Sequence, residues 1–299
     1  MTDTALIKKT TGYYTAMDGT PIYYETVGEG EPLVLVYGIA CLMNHWHHQV
    51  EFFSKTRKVI LFDIRGHHKS TPVSDMSNLT MEHLAFDLKG LLNHLGYKQA
   101  DFMGHSFGVP YLLKTYEQFP EIFKSMVFIN GFAKNPLKKI MGFDFIEPLY
   151  LFLKTQHAKS PDLWNSLWKT MIDNPLAFQI AALSGGFNLR LTQFKDIEMY
   201  GRGVSRLSLP VFFELFHHVL NYDGSDVLFN IEKPCLVIAG ERDFITPIDF
   251  QKEIARKIEG AQFELIPYGS HCTQLDFPDL VNYKIRDFLN SIAVTKKKD

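Results

Sequence analysis

Ser106 is the residue of this chain best placed to act as a nucleophile. It stands in Gly104-His105-Ser106-Phe107-Gly108, between the short apolar run Ala100-Asp101-Phe102-Met103 and a helical pattern that sets in by Tyr111. Strand, sharp turn and helix, with Gly-x-Ser-x-Gly at the turn, expose a serine hydroxyl at the carboxyl end of the strand. The tip of so tight a turn is a strained backbone position. Gly104 and Gly108 carry no side chain, so strand and helix can approach closely. The helix start aims unpaired N–H groups and a positive dipole end at the charge that develops during acyl transfer. Pro110 falls in the first helical turn, where a missing N–H costs little.

A serine hydroxyl needs an imidazole to take its proton, and the imidazole needs a carboxylate to fix its tautomer. Two downstream loops offer these groups in the order Ser, Asp, His. Asp243 follows the apolar run Cys235-Leu236-Val237-Ile238-Ala239, in Gly240-Glu241-Arg242-Asp243-Phe244-Ile245-Thr246-Pro247. His271 follows Gln262-Phe263-Glu264-Leu265-Ile266, in Pro267-Tyr268-Gly269-Ser270-His271. If both runs are parallel strands, both loops emerge on the same sheet edge as Ser106, where open sheets of this kind bind ligands.

The elements that must position these three residues are legible in the pattern of apolar runs. Asp18-Gly19 between Tyr13–Ala16 and Ile22–Val27 predicts a hairpin. Leu33–Tyr37, Lys58–Asp63, the run before Ser106, and Ser125–Asn130 are continuous apolar runs, as expected of strands covered on both faces. Helical spacing separates them: about Asn44–Ser54, then Thr80–Leu95 with Leu84, Leu88, Leu91, Leu92 and Leu95 on one side. Strands alternating with helices predict an α/β fold with a mostly parallel, doubly wound sheet. Over 132–230 the strand pattern stops. Phe-, Leu-, Trp- and Met-rich helical stretches such as Phe143–Leu153 and Pro210–Leu220 take over, punctuated by Pro136, Pro148, Pro161, Pro175 and Pro210. The alternation resumes at Pro234 and runs through helices near Asp249–Lys257 and Leu280–Ala293. The expected organisation is a core of 1–131 and 231–299 with a helical cap inserted at 132–230.

Composition narrows the function. The 299 residues are 46% hydrophobic and 21% charged, with a formal net charge of −2, which argues against nucleic acid or an anionic membrane as partner. The three cysteines, Cys41, Cys235 and Cys272, are scattered, form no metal-spacing motif and suit a reducing compartment. The first ten residues lack a signal-peptide pattern and no apolar run is long enough to span a bilayer, so a cytoplasmic location is the expectation. Asn44-His45-Trp46-His47-His48-Gln49 resembles a metal cluster at first sight, but no carboxylate or cysteine joins those histidines at usable spacing. The run is read as a helix start with Trp46 turned inward. No metal or cofactor is expected. Cys272 reads as a small packing residue, His217-His218 as part of a helix face, and Asp101 as carrying no chemistry.

Four motifs in order resemble the α/β-hydrolase superfamily: Asp63-x-Arg65-Gly66-His67, Gly104-His105-Ser106-Phe107-Gly108, Gly240-x-x-Asp243-x-x-x-Pro247 and Gly269-x-His271. The resemblance covers nearly the whole core and leaves the insertion unaccounted for. It implies that Arg65, Gly66, His67 and His68 form a structural turn, with His68 replacing a common glycine. It also implies that Tyr37-Gly38-Ile39-Ala40 forms an oxyanion loop, in which the N–H groups of Ile39 and Phe107 are the donors. Tyr37 stands where the superfamily usually has histidine, a change that leaves main-chain donors in place.

With serine as nucleophile, the superfamily's epoxide hydrolase and haloalkane dehalogenase branches, which attack through aspartate, are disfavoured. The expected reaction is cleavage of a carboxylic ester, thioester or lactone through an acyl-enzyme, on a small apolar acyl substrate lodged under the cap. The same triad also serves cofactor-free perhydrolases (haloperoxidases) and carbon–carbon bond hydrolases. His105 stands where the carbon–carbon branch typically has asparagine. The fold can also act as a small-molecule receptor with slow turnover.

Overall fold

The computed structural model describes residues 8–137, 145–172, 174, 176 and 186–295. Phe143, Asp144, Pro175, the first seven residues and the lysine-rich end at 296–299 lie outside the described residues. The chain opens with β1 (Lys9–Thr15) and β2 (Pro21–Val27). They pair antiparallel around Asp18-Gly19, where Gly19 takes φ 85° and the Thr20 N–H donates to Asp18 Oδ1 at 3.0 Å. Then follow β3 (Pro32–Val36), α1 (His47–Phe53), β4 (Lys58–Phe62), α2 (Met81–His94), β5 (Ala100–His105), α3 (Gly108–Gln118) and β6 (Phe123–Ile129). The 132–230 stretch contributes α4 (Ile146–Lys159), α5 (Pro161–Ile172), α6 (Phe194–Arg206) and α7 (Leu209–Asn221). The chain then returns through β7 (Cys235–Gly240), α8 (Ile248–Lys257), β8 (Gln262–Ile266), α9 (Thr273–Asp276) and α10 (Pro278–Thr295).

One eight-stranded sheet results, in the order β1-β2-β4-β3-β5-β6-β7-β8. The first two pairings are antiparallel and all others parallel. β3, β5 and β7 are buried along their whole length, since helices cover both faces of the central sheet. α2 shows the local logic of those helices. Thr80 caps it by accepting from the His83 N–H at 3.2 Å, Leu84, Leu88, Leu91 and Leu92 form its buried face, and Gly96 with φ 79° follows its end. Each such leucine contributes about 1.5–3 kcal/mol by leaving water.

The helix expected over Asn44–Ser54 is two pieces, a 3₁₀ turn at Met43–Trp46 and then α1. The tighter turn brings His45 and Trp46, neighbours in sequence, both to the interior. Between β6 and β7 the described residues form helices and no strand; an isolated bridge, Lys134 with Asp223, and an Asn135 Nδ2–H bond to the Leu220 carbonyl at 2.9 Å tie the two ends of this stretch. Tyr150, Leu209, Phe213 and Leu220 form a small core of its own. A second cluster joins Phe187 and Ile197 to Cys272 and Leu275, so this stretch packs on the segment that follows β8.

Candidate active site

Ser106 adopts φ 53°, in the left-handed region that a serine occupies only under constraint. The constraint comes from both sides. A Cβ on Gly108 would stand 2.2 Å from the Val36 carbonyl oxygen, and one on Gly104 would meet the Gly108 carbonyl oxygen at 2.9 Å. These distances are far inside van der Waals contact, so strand and helix meet only because both positions are glycine. Across the rim, a Cβ on Gly38 would lie 3.0 Å from Ser106 Cβ and 3.4 Å from its Oγ. That glycine leaves room beside the hydroxyl.

Asp243 and His271, 28 residues apart, are brought into direct contact. His271 Nδ1 donates to Asp243 Oδ2 at 2.9 Å, and both residues are buried. The carboxylate is saturated: Oδ1 accepts from the N–H groups of Ile245 and Thr246 at 2.9 and 2.8 Å, and Oδ2 also accepts from Thr246 Oγ1 at 2.6 Å. A carboxylate so held can only accept, so the proton of the neutral imidazole sits on Nδ1 and Nε2 carries the lone pair. Among the described residues Ser106 Oγ has no hydrogen-bond partner, so His271 and Asp243 are joined while the serine hydroxyl is open. Such contacts commonly tighten only once substrate is bound.

Several groups that hold this geometry are invisible as motifs. Asn130, with φ 45° at the end of β6, donates from Nδ2 to the carbonyls of Ser270 and His271 at 2.9 and 2.7 Å. Its Oδ1 accepts from the Gly240 N–H at 2.7 Å, so one side chain ties together the loops that carry Asp243 and His271. His105 Nε2–H donates to the His271 carbonyl at 2.9 Å, and burial, with His45 and His271 nearby, holds this ring well below the usual histidine pKa. Asp276 accepts from the Ser270 N–H and hydroxyl at 2.6 and 2.7 Å. Thr246, by contrast, had a signal to offer, its place three positions after Asp243, where a hydroxyl readily closes back on a carboxylate.

The loop expected to supply oxyanion donors is braced by the turn after β4. Ala40, with φ 62°, donates its N–H to His67 Nε2 at 3.0 Å, and His68 Nε2–H donates to the Cys41 carbonyl at 2.8 Å. Burial lowers the His67 pKa to about 3, so the ring stays neutral and can accept that hydrogen bond. Among the described residues the N–H groups of Ile39 and Phe107 have no acceptor. The Tyr37 ring is buried, and its hydroxyl donates to Asp63 Oδ1 at 3.2 Å and accepts from the Ile64 N–H at 2.9 Å. Tyr37 thus binds the β4 end, while Gly38 lies beside Ser106.

The remaining candidates have structural partners. Asp101 pairs with Arg57 and accepts from Ser125 Oγ at 2.6 Å. His218 bonds the Leu79 carbonyl at 2.8 Å. Cys272 is buried in an apolar cluster, and burial drives its thiol well above the usual value. Arg65 is buried in a two-pronged contact with Asp87 at 2.8 and 2.7 Å and also reaches Asp18, which ties the turn to the hairpin and to α2. A cleft of about 560 Å³ lined by Leu137, Ile146, Leu220, Tyr222, Pro247 and Phe250 opens at the base of the insertion, and none of Ser106, Asp243 and His271 lines it.

A mostly parallel sheet with a strained serine at the strand–helix turn after β5, and an aspartate and a histidine in contact on the segments after β7 and β8, is an arrangement of the α/β-hydrolase fold. The family model for the alpha/beta hydrolase fold matches residues 31–169. Over 274 residues the chain is 23% identical to Epoxide hydrolase 1 of Caenorhabditis elegans, spanning 90% of this chain and 67% of that protein. It is 24% identical over 287 residues to the Non-heme haloperoxidase of Rhodococcus erythropolis, spanning 93% and 99% of the two chains. The solved esterase of Exiguobacterium antarcticum superposes with a TM-score of 0.77 at 16% identity, over 94% of this chain and all of that one. The chain has the α/β-hydrolase fold, and the proteins it is similar to include hydrolases of that superfamily.

Proposed function

We propose that the chain is a serine hydrolase that cleaves a carboxylic ester, thioester or lactone through an acyl-enzyme on Ser106. The observation that carries this reading is the buried 2.9 Å bond from His271 Nδ1 to Asp243 Oδ2, because it leaves the basic lone pair on Nε2. In the first half-reaction Nε2 takes the Ser106 proton as Oγ forms a bond to the acyl carbon. The carbonyl oxygen becomes an oxyanion facing the N–H groups of Ile39 and Phe107. His271 then returns the proton to the leaving alcohol, thiol or lactone alkoxide as the acyl–oxygen or acyl–sulfur bond breaks. Water repeats the sequence on the acyl-enzyme and frees Ser106. Because the elbow carries serine, the intermediate is an acyl ester and not the alkyl ester that a carboxylate nucleophile forms.

Residues 132–230 act in this reading as a helical cap over the rim, a role supported by the packing of Phe187 and Ile197 on Cys272 and Leu275, next to His271. The three cysteines are free and buried, which fits work in the reducing cytoplasm, and among the described residues no helix is long and apolar enough to cross a membrane. The likeness to a protein named as a haloperoxidase favours one further reading, peroxide replacing water as the second nucleophile on the same acyl-enzyme. Short- and medium-chain nitrophenyl esters should be hydrolysed, and a fluorophosphonate should label Ser106. Ser106→Ala should abolish both. Folded protein that neither turns over esters nor takes the label refutes the proposal, and hydrogen peroxide outcompeting water at low concentration moves the assignment to perhydrolysis.

A further inference from the structure

Where α1 begins, two histidines face a carboxylate supplied by the insertion. His47 Nε2 lies 3.6 Å from Asp196 Oδ1, and His48 Nε2 lies 3.7 Å from Asp196 Oδ2. These separations are too long for the hydrogen bonds of an ion pair, which close to about 2.7–2.9 Å when a charged nitrogen meets a carboxylate. None of the four atoms has a hydrogen-bond partner, although Asp196 is only 1% exposed. An orphaned buried carboxylate is costly, so the cluster is incomplete as it stands. Protonating both rings does not complete it, since their centroids are 3.8 Å apart and two imidazolium charges would be brought side by side. A single divalent ion does. With metal–nitrogen and metal–oxygen distances of about 2.0–2.1 Å, tetrahedral ligand atoms stand about 3.3 Å apart, a few tenths of an ångström inside the spacing seen here.

The outer contacts suit the same chemistry. The His47 Nδ1–H donates to the Asn44 carbonyl at 3.0 Å, which fixes the tautomer with its lone pair on Nε2, the atom that faces Asp196. The His47 and His48 side chains are 31% and 20% exposed, so an ion can enter and water can fill the open position. Two imidazoles and one carboxylate select a borderline transition ion of the zinc type over calcium or magnesium, which prefer all-oxygen shells. The site also has a mechanical consequence. Asp196 lies in the first turn of α6, and a Cβ on Gly203 of that helix would stand 2.7 Å from the Ala40 carbonyl oxygen, so α6 backs directly on the loop beside Ser106.

We propose that His47, His48 and Asp196 form a binding site for one divalent transition-metal ion, completed by water, that fastens helix α6 of the insertion to the core. The carboxylate comes not from the histidine run itself but from Asp196, far along the chain, which the fold brings to it.

The test is titration of chelator-stripped full-length protein with Co²⁺ and with Zn²⁺, followed by visible ligand-field absorption and by calorimetry, with thermal unfolding in parallel. The expected result is one ion per chain, a nitrogen- and oxygen-type cobalt spectrum, and a higher Tm with metal. Asp196→Asn and, independently, His48→Gln should each weaken binding by about 100-fold and erase the metal-dependent rise in Tm, while matching the stripped wild type in far-UV circular dichroism. The buried trio His45, His105 and Cys272 is the competing cluster. A strong thiolate-to-cobalt band that disappears in Cys272→Ser would move the ion there and overturn the proposal. So would the absence of saturable stoichiometric binding, or variants that bind as the wild type does.

Discussion

Asp243→Asn is the substitution whose outcome the structure dictates most fully. Asp243 Oδ1 accepts from two main-chain N–H groups, those of Ile245 and Thr246, which cannot reorient. The asparagine that replaces it must therefore keep its oxygen on that side and turn its NH₂ toward His271 Nδ1 and Thr246 Oγ1. A donor then meets a donor at the position of the present 2.9 Å bond. The imidazole can relieve the clash only by moving its proton to Nε2, and Nε2 then has no lone pair for the Ser106 proton. The loss should match that for a wrong-tautomer triad, about 10⁴-fold in kcat, or about 5.4 kcal/mol of transition-state stabilisation. KM should change little, because Asp243 is buried behind the histidine. The Tm should move by a few degrees at most, since shape and volume are kept. Steady-state hydrolysis of a nitrophenyl ester at pH 7.5, with circular dichroism on the same sample, makes the measurement. A kcat within tenfold of wild type would mean that some other group orients His271, and the tautomer argument would fail with it.

Two further outcomes follow from buried groups. His67, lowered to about 3, and His105, well below its usual value, are neutral in the folded chain, while the unfolded chain protonates them near pH 6.5. Between those limits the unfolded state binds the extra protons, so stability present above about pH 6.5 is lost as pH falls, by about 2 kcal/mol at pH 5 for His67 alone. Urea unfolding from pH 7.5 to 5 should show this, and His67→Gln, which keeps an acceptor for the Ala40 N–H, should reduce the slope by about one proton; equal slopes would refute it. Gly203→Ala should push α6 off the Ala40 carbonyl, 2.7 Å from where its Cβ would stand, costing about 1–3 kcal/mol of stability and lowering kcat/KM, and unchanged Tm and activity would show that the contact is slack.

What the sequence disclosed was what repeats along it. Continuous apolar runs such as Leu33–Val36 and Cys235–Ala239 became buried strands because only a sheet covered on both faces removes them from water. Gly-x-Ser-x-Gly was legible because close approach at both flanks leaves glycine no substitute, as the 2.2 Å clash at Gly108 shows. Asp18-Gly19 marked its hairpin for a similar reason, a local φ of 85°. The helices over 132–230 were legible in outline through their prolines, but their seating on Ala40 and Cys272 was not, since packing partners leave no period in the chain.

Local spacing therefore determined the turn at Ser106, the sheet and the order of the candidate groups, because each rests on residues within a turn or two of one another. Tertiary structure alone decided that His271 and Asp243 touch, that Asn130 binds their two loops, that Tyr37 pairs with Asp63, and that Asp196 faces His47 and His48. Those contacts join residues from 26 to more than 100 positions apart. Their energies depend on distances of a few ångströms in space, which separation along the polypeptide does not encode.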